Sequence, residues 1–83
     1  MIEHSVVLGI DDARRRVLVR TPWGCIVAAL HSGTIAVGAE IDGARHDLGA
    51  QTWRDVAGGN VVEVDVLMPP SEEAVAEKMF IGN

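Results

Sequence analysis

The stretch 60–68, NVVEVDVLM, decides the fold of this chain. Every second residue in it is apolar, namely Val62, Val64, Val66 and Met68. Glu63 and Asp65 alternate with them. Because successive side chains of a strand point to opposite faces, this pattern predicts a strand with one buried and one solvated face. At helical spacing the valines would surround the helix, so we expect a strand that the other strands must cover.

Further short apolar or alternating segments predict the remaining strands, at 5–10, 17–20, 24–30, 35–41 and 50–54. The segment 24–30 (GCIVAAL) is apolar throughout, which favours a strand buried on both faces, with a helical turn as the alternative. Gly38 predicts a bulge or bend within 35–41. Thr21-Pro22-Trp23-Gly24 predicts a tight turn, and Asp42-Gly43 predicts a two-residue hairpin turn.

The C-terminal end changes character at Pro69-Pro70, where the prolines should end the sheet because they donate no ladder hydrogen bond. Ser71 is a candidate N-cap for a helix that Gly82 would end. Val75 and Met79 would share one face of this helix, and Ala76 and Phe80 another. With only about two to three turns, the helix cannot be stable alone and must dock.

These elements predict a mainly β protein. We expect a small five- or six-stranded antiparallel barrel, OB-like, with one short C-terminal α-helix. Residues 1–70 would form the barrel, and residues 71–83 would form a helix docked on the barrel or on a partner subunit. Likeness to the OB barrel concerns the fold alone and carries no function.

Composition limits the classes of function. The chain has 83 residues, which predicts one domain with a thin core, and oligomerisation is a common remedy for such a core. The net charge of −5 disfavours nucleic acid and anionic membranes as main partners. No apolar run has the length of a membrane span, and the N-terminus lacks the basic region of a signal peptide. With the single cysteine, Cys25, these features predict a cytoplasmic protein.

No combination of residues predicts a catalytic, cofactor or metal site. His4, His31 and His46 have no helical metal-ligand spacing, and the chain contains no CxxC pair and no phosphate-binding glycine loop. Cys25 lies in the most apolar segment, which favours a packed core thiol over a nucleophile. We therefore expect a protein without cofactor or metal.

The one candidate binding surface combines the basic cluster with both tryptophans: Arg14, Arg15, Arg16, Arg20, Trp23, Trp53 and Arg54. If they converge, arginines can hold phosphates while aromatic rings stack on bases, each stacked base contributing about 1–3 kcal/mol. The alternative is structural. The arginines would pair with acids such as Asp11 and Asp12 and block edge-to-edge sheet pairing, while the tryptophans fill the core. The acidic charge balance favours this alternative.

Three hypotheses of function follow. The favoured one is a non-enzymatic interaction or assembly module that self-associates through the C-terminal helix or an exposed strand. The second is an OB-like protein that binds single-stranded nucleic acid. The third is a small enzyme whose site is not recognisable from the sequence.

Overall fold

The computed structural model describes residues 4–45 and 47–82, which form a closed antiparallel barrel and one helix. The elements are β1 Ser5–Asp11, β2 Arg16–Thr21, β3 Gly24–Ser32, β4 Glu40–Asp42, β5 Gly49–Asp55, β6 Val61–Val66 and α1 Glu73–Ile81. The prediction of a small antiparallel barrel with a short C-terminal helix is confirmed. Its six strands are one more than the five of an OB barrel.

The strands follow one another around the barrel in the order β1-β2-β3-β6-β5-β4, and β4 closes on β1. All six neighbouring pairs are antiparallel. Each of the six described strands therefore has a partner on both sides, but β4 pairs with β1 and with β5 through only two residue pairs each, so the rest of β1 and of β5 has no strand partner on that side.

Strand β6 has the two faces that its alternation predicts. Val62, Val64 and Val66 are buried inside the barrel, and Glu63 is exposed on the outside. The other inward side chains complete one core cluster: Val7, Val17, Val19, Ile26, Ala28, Leu30, Ile41 and Trp53. Nine of the core side chains are less than 2% exposed, so the barrel interior is filled by side chains.

Strand β3 is buried on both faces, as predicted. Ile26 and Ala28 point into the barrel core, while Cys25 and Val27 lie in a second cluster outside the barrel wall. Leu18 of β2, Met68 and Ala76 of α1 complete this second cluster. The helix therefore packs on the outer face of β2 and β3, and its docking explains why 24–30 has no polar side.

The chain reaches α1 by running beside the start of β3. The backbone N–H of Cys25 donates to the carbonyl oxygen of Ser71 at 2.8 Å, and the N–H of Ser71 donates back at 2.9 Å. Gly24 permits this close approach. A β-carbon there would lie 3.0 Å from the Ser71 backbone, and its φ of +134° also disfavours any other residue.

The predicted strand at 35–41 is wrong for most of its length. Only Glu40 and Ile41 belong to β4, and residues 33–39 form an irregular connection. Gly38 has a φ of +88°, which turns the chain, and its N–H donates to the carbonyl of Val7 on β1. Val37 is consequently 62% exposed, and the apolar alternation of this segment does not correspond to one buried face.

The two-residue hairpin predicted at Asp42-Gly43 is also wrong. β4 and β5 do pair, with Asp42 opposite Arg54, but the connection between them, here called the 43–48 loop, is longer than two residues, and its described residues 43–45 and 47–48 lie outside both strands. The side chain of Gln51 holds this loop through the backbone of Arg45 and Asp47, which offsets the cost of the longer connection.

The helix N-cap is Glu72, not Ser71 as predicted, and Glu72 makes no side-chain capping bond. The Ser71 hydroxyl instead donates to the carbonyl oxygen of Pro69 at 3.0 Å, which holds the bend after the prolines. At the other end, Gly82 is the predicted C-cap. It has a left-handed backbone, and its N–H donates to the carbonyl of Lys78.

Candidate functional site

The predicted arginine–tryptophan surface is not assembled as one surface. Arg14 and Arg15 lie in the β1–β2 turn, Arg16 and Arg20 lie at the two ends of β2, and Arg54 lies on β5. Strands β2 and β5 are not neighbours in the barrel. Arg54 therefore does not join the basic cluster. Its guanidinium nitrogen Nη2 lies 3.6 Å from Oδ2 of Asp42 on β4 instead.

Arg14 clamps the C-terminal end of α1. Its Nε donates to Oδ2 of Asp11 at 2.7 Å, and its guanidinium donates to the carbonyl oxygens of Phe80 and Ile81. The last carbonyls of a helix have no intrahelical partner, and a cation there also opposes the negative end of the helix dipole. Arg14 thus ties the β1–β2 turn to the helix, and its role is structural.

This clamp predicts acid sensitivity. The hydrogen bonds from Arg14 hold the pKa of Asp11 below its ordinary value of 3.8. The stabilisation by ionised Asp11 is therefore fully present above that ordinary value and is lost as the pH falls through the lower folded-state pKa. Urea midpoints of the wild type and of Asp11→Asn should differ near neutral pH and converge below about pH 4. Asp12→Asn, in the same turn, is the control, and a wild-type advantage over Asp11→Asn that did not shrink as the pH fell below 3.8 would contradict the clamp.

Arg16 and Arg20 lie on the outer face of β2, on either side of Leu18. Leu18 is covered by α1, so the two arginines flank the docked helix and do not form one continuous groove. Arg15 adopts a left-handed backbone with a φ of +56° in the turn. Together with Arg14, these residues are therefore distributed around the docked helix and do not form one binding surface.

The two tryptophans have opposite environments. Trp23 is 52% exposed at the β2–β3 turn, whereas Trp53 is fully buried in the barrel core. Stacking on a base requires an accessible ring face, which Trp53 does not have. Of the two predicted stacking platforms, only Trp23 is on the surface.

Gln51 is one of three buried polar residues in the described part of the chain, and the sequence pattern does not predict its role. Its Oε1 accepts from the indole Nε1 of Trp53 at 2.9 Å and from the backbone N–H of Arg45 at 3.0 Å. Its Nε2 donates to the carbonyl oxygens of Arg45 and Asp47, at 3.2 and 2.7 Å. One amide therefore joins the core tryptophan to the 43–48 loop. The sequence contained one signal for its burial. Gln51 is two residues from Trp53 in β5, so both side chains point to the same, inner face.

The surface of the described part of the chain has clefts, and two of them are lined by ionisable side chains. The first, about 470 Å³, lies beside β5 and β6 and is lined by His31, Gly43, Arg45, Ala50, Gln51, Thr52, Glu63 and Val64. The second, about 410 Å³, is lined by His4, Val6, Arg20, Thr21, Pro22 and Glu40. In the second, Nδ1 of His4 lies 3.2 Å from a carboxylate oxygen of Glu40.

The remaining candidates for chemistry lie apart. His31 and His4 line different clefts, and His46 lies outside the described residues. Residues 4–45 and 47–82 contain no group of three His, Cys, Asp or Glu side chains that could hold a metal ion. Cys25 is 4% exposed beneath α1, and burial, followed by the nearby charge of Glu73, raises the pKa of its thiol.

The helix exposes apolar side chains on its outer side. Ala76 is its one buried residue among those described, yet Val75 is 51%, Met79 39% and Ile81 56% exposed. Val75 and Met79 are four residues apart and lie next to each other on one face, as predicted. This pair is here called the helix patch; Ile81, two residues beyond Met79, lies on another side of the helix.

No protein-family model, curated protein or solved structure matches the chain. Among the described residues, no helix has the length and apolar character needed to cross a membrane. Function must therefore be inferred from the residues and their arrangement.

Proposed function

We propose that this protein is a non-enzymatic barrel module that self-associates through α1. The observation that carries the proposal is the helix patch, in which a helix already docked on its own barrel keeps Val75 and Met79 exposed side by side. Burying apolar side chains against a second copy would release free energy of about 25 cal/mol per Å². A thin single-domain core makes that gain important to the stability of the folded chain.

Barrel closure favours the helix over the strands as the route of association. Pairing between strands of two copies requires an unpaired edge, and the closed ring of the six described strands leaves one only where β1 and β5 extend beyond the short β4. Of the two routes expected from the sequence, helix and exposed strand, the helix is therefore the one we adopt. A two-fold arrangement, in which each copy presents its patch to the other, is the commonest symmetric solution.

The single-strand nucleic-acid binder is the less supported alternative. Trp53 is inside the barrel, Arg14 is engaged with the end of α1, and Arg54 lies on a strand distant from β2. Without two stacking rings beside a basic groove, the usual basis for single-strand binding is incomplete.

Light scattering after size exclusion tests the proposal. At micromolar concentration the wild-type mass should be that of two or more chains of 8.8 kDa each. Met79→Lys, which places a charge in the patch, should reduce the mass to that of one chain without unfolding the barrel. Val37→Lys makes a comparable change at a residue that is 62% exposed in the β3–β4 connection, and it should leave the mass unchanged. A wild-type mass of one chain would refute self-association.

A further inference from the structure

The first cleft has the size of a small-molecule site, and its walls carry several polar and charged side chains. Its volume of about 470 Å³ lies within the range of roughly 300–1,000 Å³ usual for such sites. It is open to solvent at the side of the barrel and is bounded by β5, β6, the end of β3 and the 43–48 loop. It shares no lining residue with the helix patch, so it is a separate surface.

The strand wall of the cleft includes a β-bulge. The register between β3 and β6 shifts after Leu30, which lies opposite Val64, so that Ser32 lies opposite Glu63. His31 is the extra residue at this shift. A bulge redirects the side chains around it and is found disproportionately beside functional sites. The bulge thereby places His31 and Glu63 on the wall of the same cleft.

The loop wall is held in place before any ligand arrives. The backbone N–H and carbonyl of Arg45 both bond to the amide of Gln51, which is itself fixed by the buried indole of Trp53. A loop anchored in this way loses little conformational entropy on binding. The backbone of Arg45 is therefore held in position by the barrel core before a ligand binds.

The charges on the walls are incompletely paired. The Nε of Arg45 lies 3.9 Å from Oδ2 of Asp47, which is beyond hydrogen-bonding distance, and both side chains are 62% exposed. Glu63 makes no ion pair with any residue in the described ranges. A guanidinium with free donors suits a carboxylate, which it can bind with two parallel hydrogen bonds. A free carboxylate such as that of Glu63 suits an ammonium group.

We propose that this cleft binds a small zwitterion, an amino-acid-sized molecule with one carboxylate and one ammonium group. Arg45 takes the carboxylate, Glu63 takes the ammonium group, and His31 and Thr52 offer further hydrogen bonds to these charged groups. A ligand with both charges leaves the net charge of the cleft unchanged. This inference is independent of self-association.

Titration with three probes of similar size tests the proposal. 4-Aminobutyrate carries both groups, butyrate carries the carboxylate alone, and butylammonium carries the ammonium group alone. In ¹⁵N-labelled protein, 4-aminobutyrate should give saturable shifts of the amides lining the cleft. Each single-charge probe should bind at least about 10-fold more weakly, because one charge-assisted hydrogen-bonded contact is missing.

Matched variants locate the binding. Arg45→Ala and Glu63→Gln should each weaken 4-aminobutyrate binding at least about 10-fold. Arg54→Ala should not, although Arg54 is likewise 62% exposed and paired with an aspartate. Glu72→Gln is the corresponding control for the carboxylate. Absence of saturation at millimolar probe, equal binding of all three probes, or equal loss in Arg54→Ala would overturn the proposal.

Discussion

Replacing Gln51 with leucine is expected to lower the free energy of unfolding by about 2–4 kcal/mol. This is a large share of the roughly 5–15 kcal/mol that stabilises a typical domain. Leucine is similar in size and leaves no large cavity, so the loss would arise from hydrogen bonding and not from packing. The measurement is equilibrium urea unfolding of both proteins.

The size of this effect follows from the groups that leucine would leave unpaired. Gln51 satisfies the indole N–H of Trp53 and three backbone groups of Arg45 and Asp47. The loop groups can turn to water, but Trp53 is fully buried and its N–H cannot. A buried donor without a partner costs about 1–3 kcal/mol, and release of the 43–48 loop adds to that cost.

Thr52→Ala is the control for the effect of mutating this strand. Thr52 is adjacent to Gln51 but points outward and is exposed, so the change should stay within about 0.5 kcal/mol. A comparable loss in Thr52→Ala would indicate a general weakness of β5. A loss below about 1 kcal/mol in Gln51→Leu would contradict the anchoring role of the amide.

Gln51→Glu adds a signature in pH that a packing defect would not produce. A carboxylate can accept from Trp53 and Arg45, but it cannot donate to the two loop carbonyls that Nε2 now contacts. Folding should therefore favour the protonated form and raise the pKa of the new carboxyl above its unfolded value. The variant should be least stable at high pH and should regain stability as the pH falls through the raised pKa.

The parts of the fold that could be predicted from sequence are those in which one side chain pattern has one structural solution. The alternation in β6 requires a strand, and the fully apolar β3 requires cover on both faces. Gln51 escaped notice because a single polar residue in a short strand resembles a solvated position. Its side chain bonds the backbone of the 43–48 loop, and no local pattern specifies that contact.

The candidate binding surface failed for a related reason. The carbonyl groups that Arg14 bonds lie 66 and 67 residues further along the chain. No sequence pattern near Arg14 therefore predicts these hydrogen bonds. The nucleic-acid hypothesis groups Trp53 with Trp23 because a single-strand groove needs aromatic rings on which bases can stack. The folded structure shows that the ring of Trp53 points into the barrel core, whereas the ring of Trp23 lies at the β2–β3 turn.

Replacing Ala76 with arginine is expected to detach α1 from the barrel. Ala76 is fully buried in the second cluster, against Leu18 and Val27, with no space for a long charged side chain. Burying an unpaired charge costs several kcal/mol, so the helix should leave its site to solvate the arginine. Cys25 lies beneath the helix and is 4% exposed, which makes its thiol a reporter of this detachment.

The expected result is modification of Cys25 by a thiol reagent at least about 100-fold faster in Ala76→Arg than in the wild type, since about 3 kcal/mol corresponds to that factor. Ala74→Arg makes the same substitution two residues earlier, at an exposed position, and should label at the wild-type rate. Emission from Trp53, inside the separate barrel core, should stay blue-shifted in both variants. Slow labelling in Ala76→Arg would show that the helix is not the cover of Cys25. Loss of the Trp53 signal together with fast labelling would show instead that barrel and helix unfold as one unit, because the barrel core would then depend on the helix that covers its outer wall.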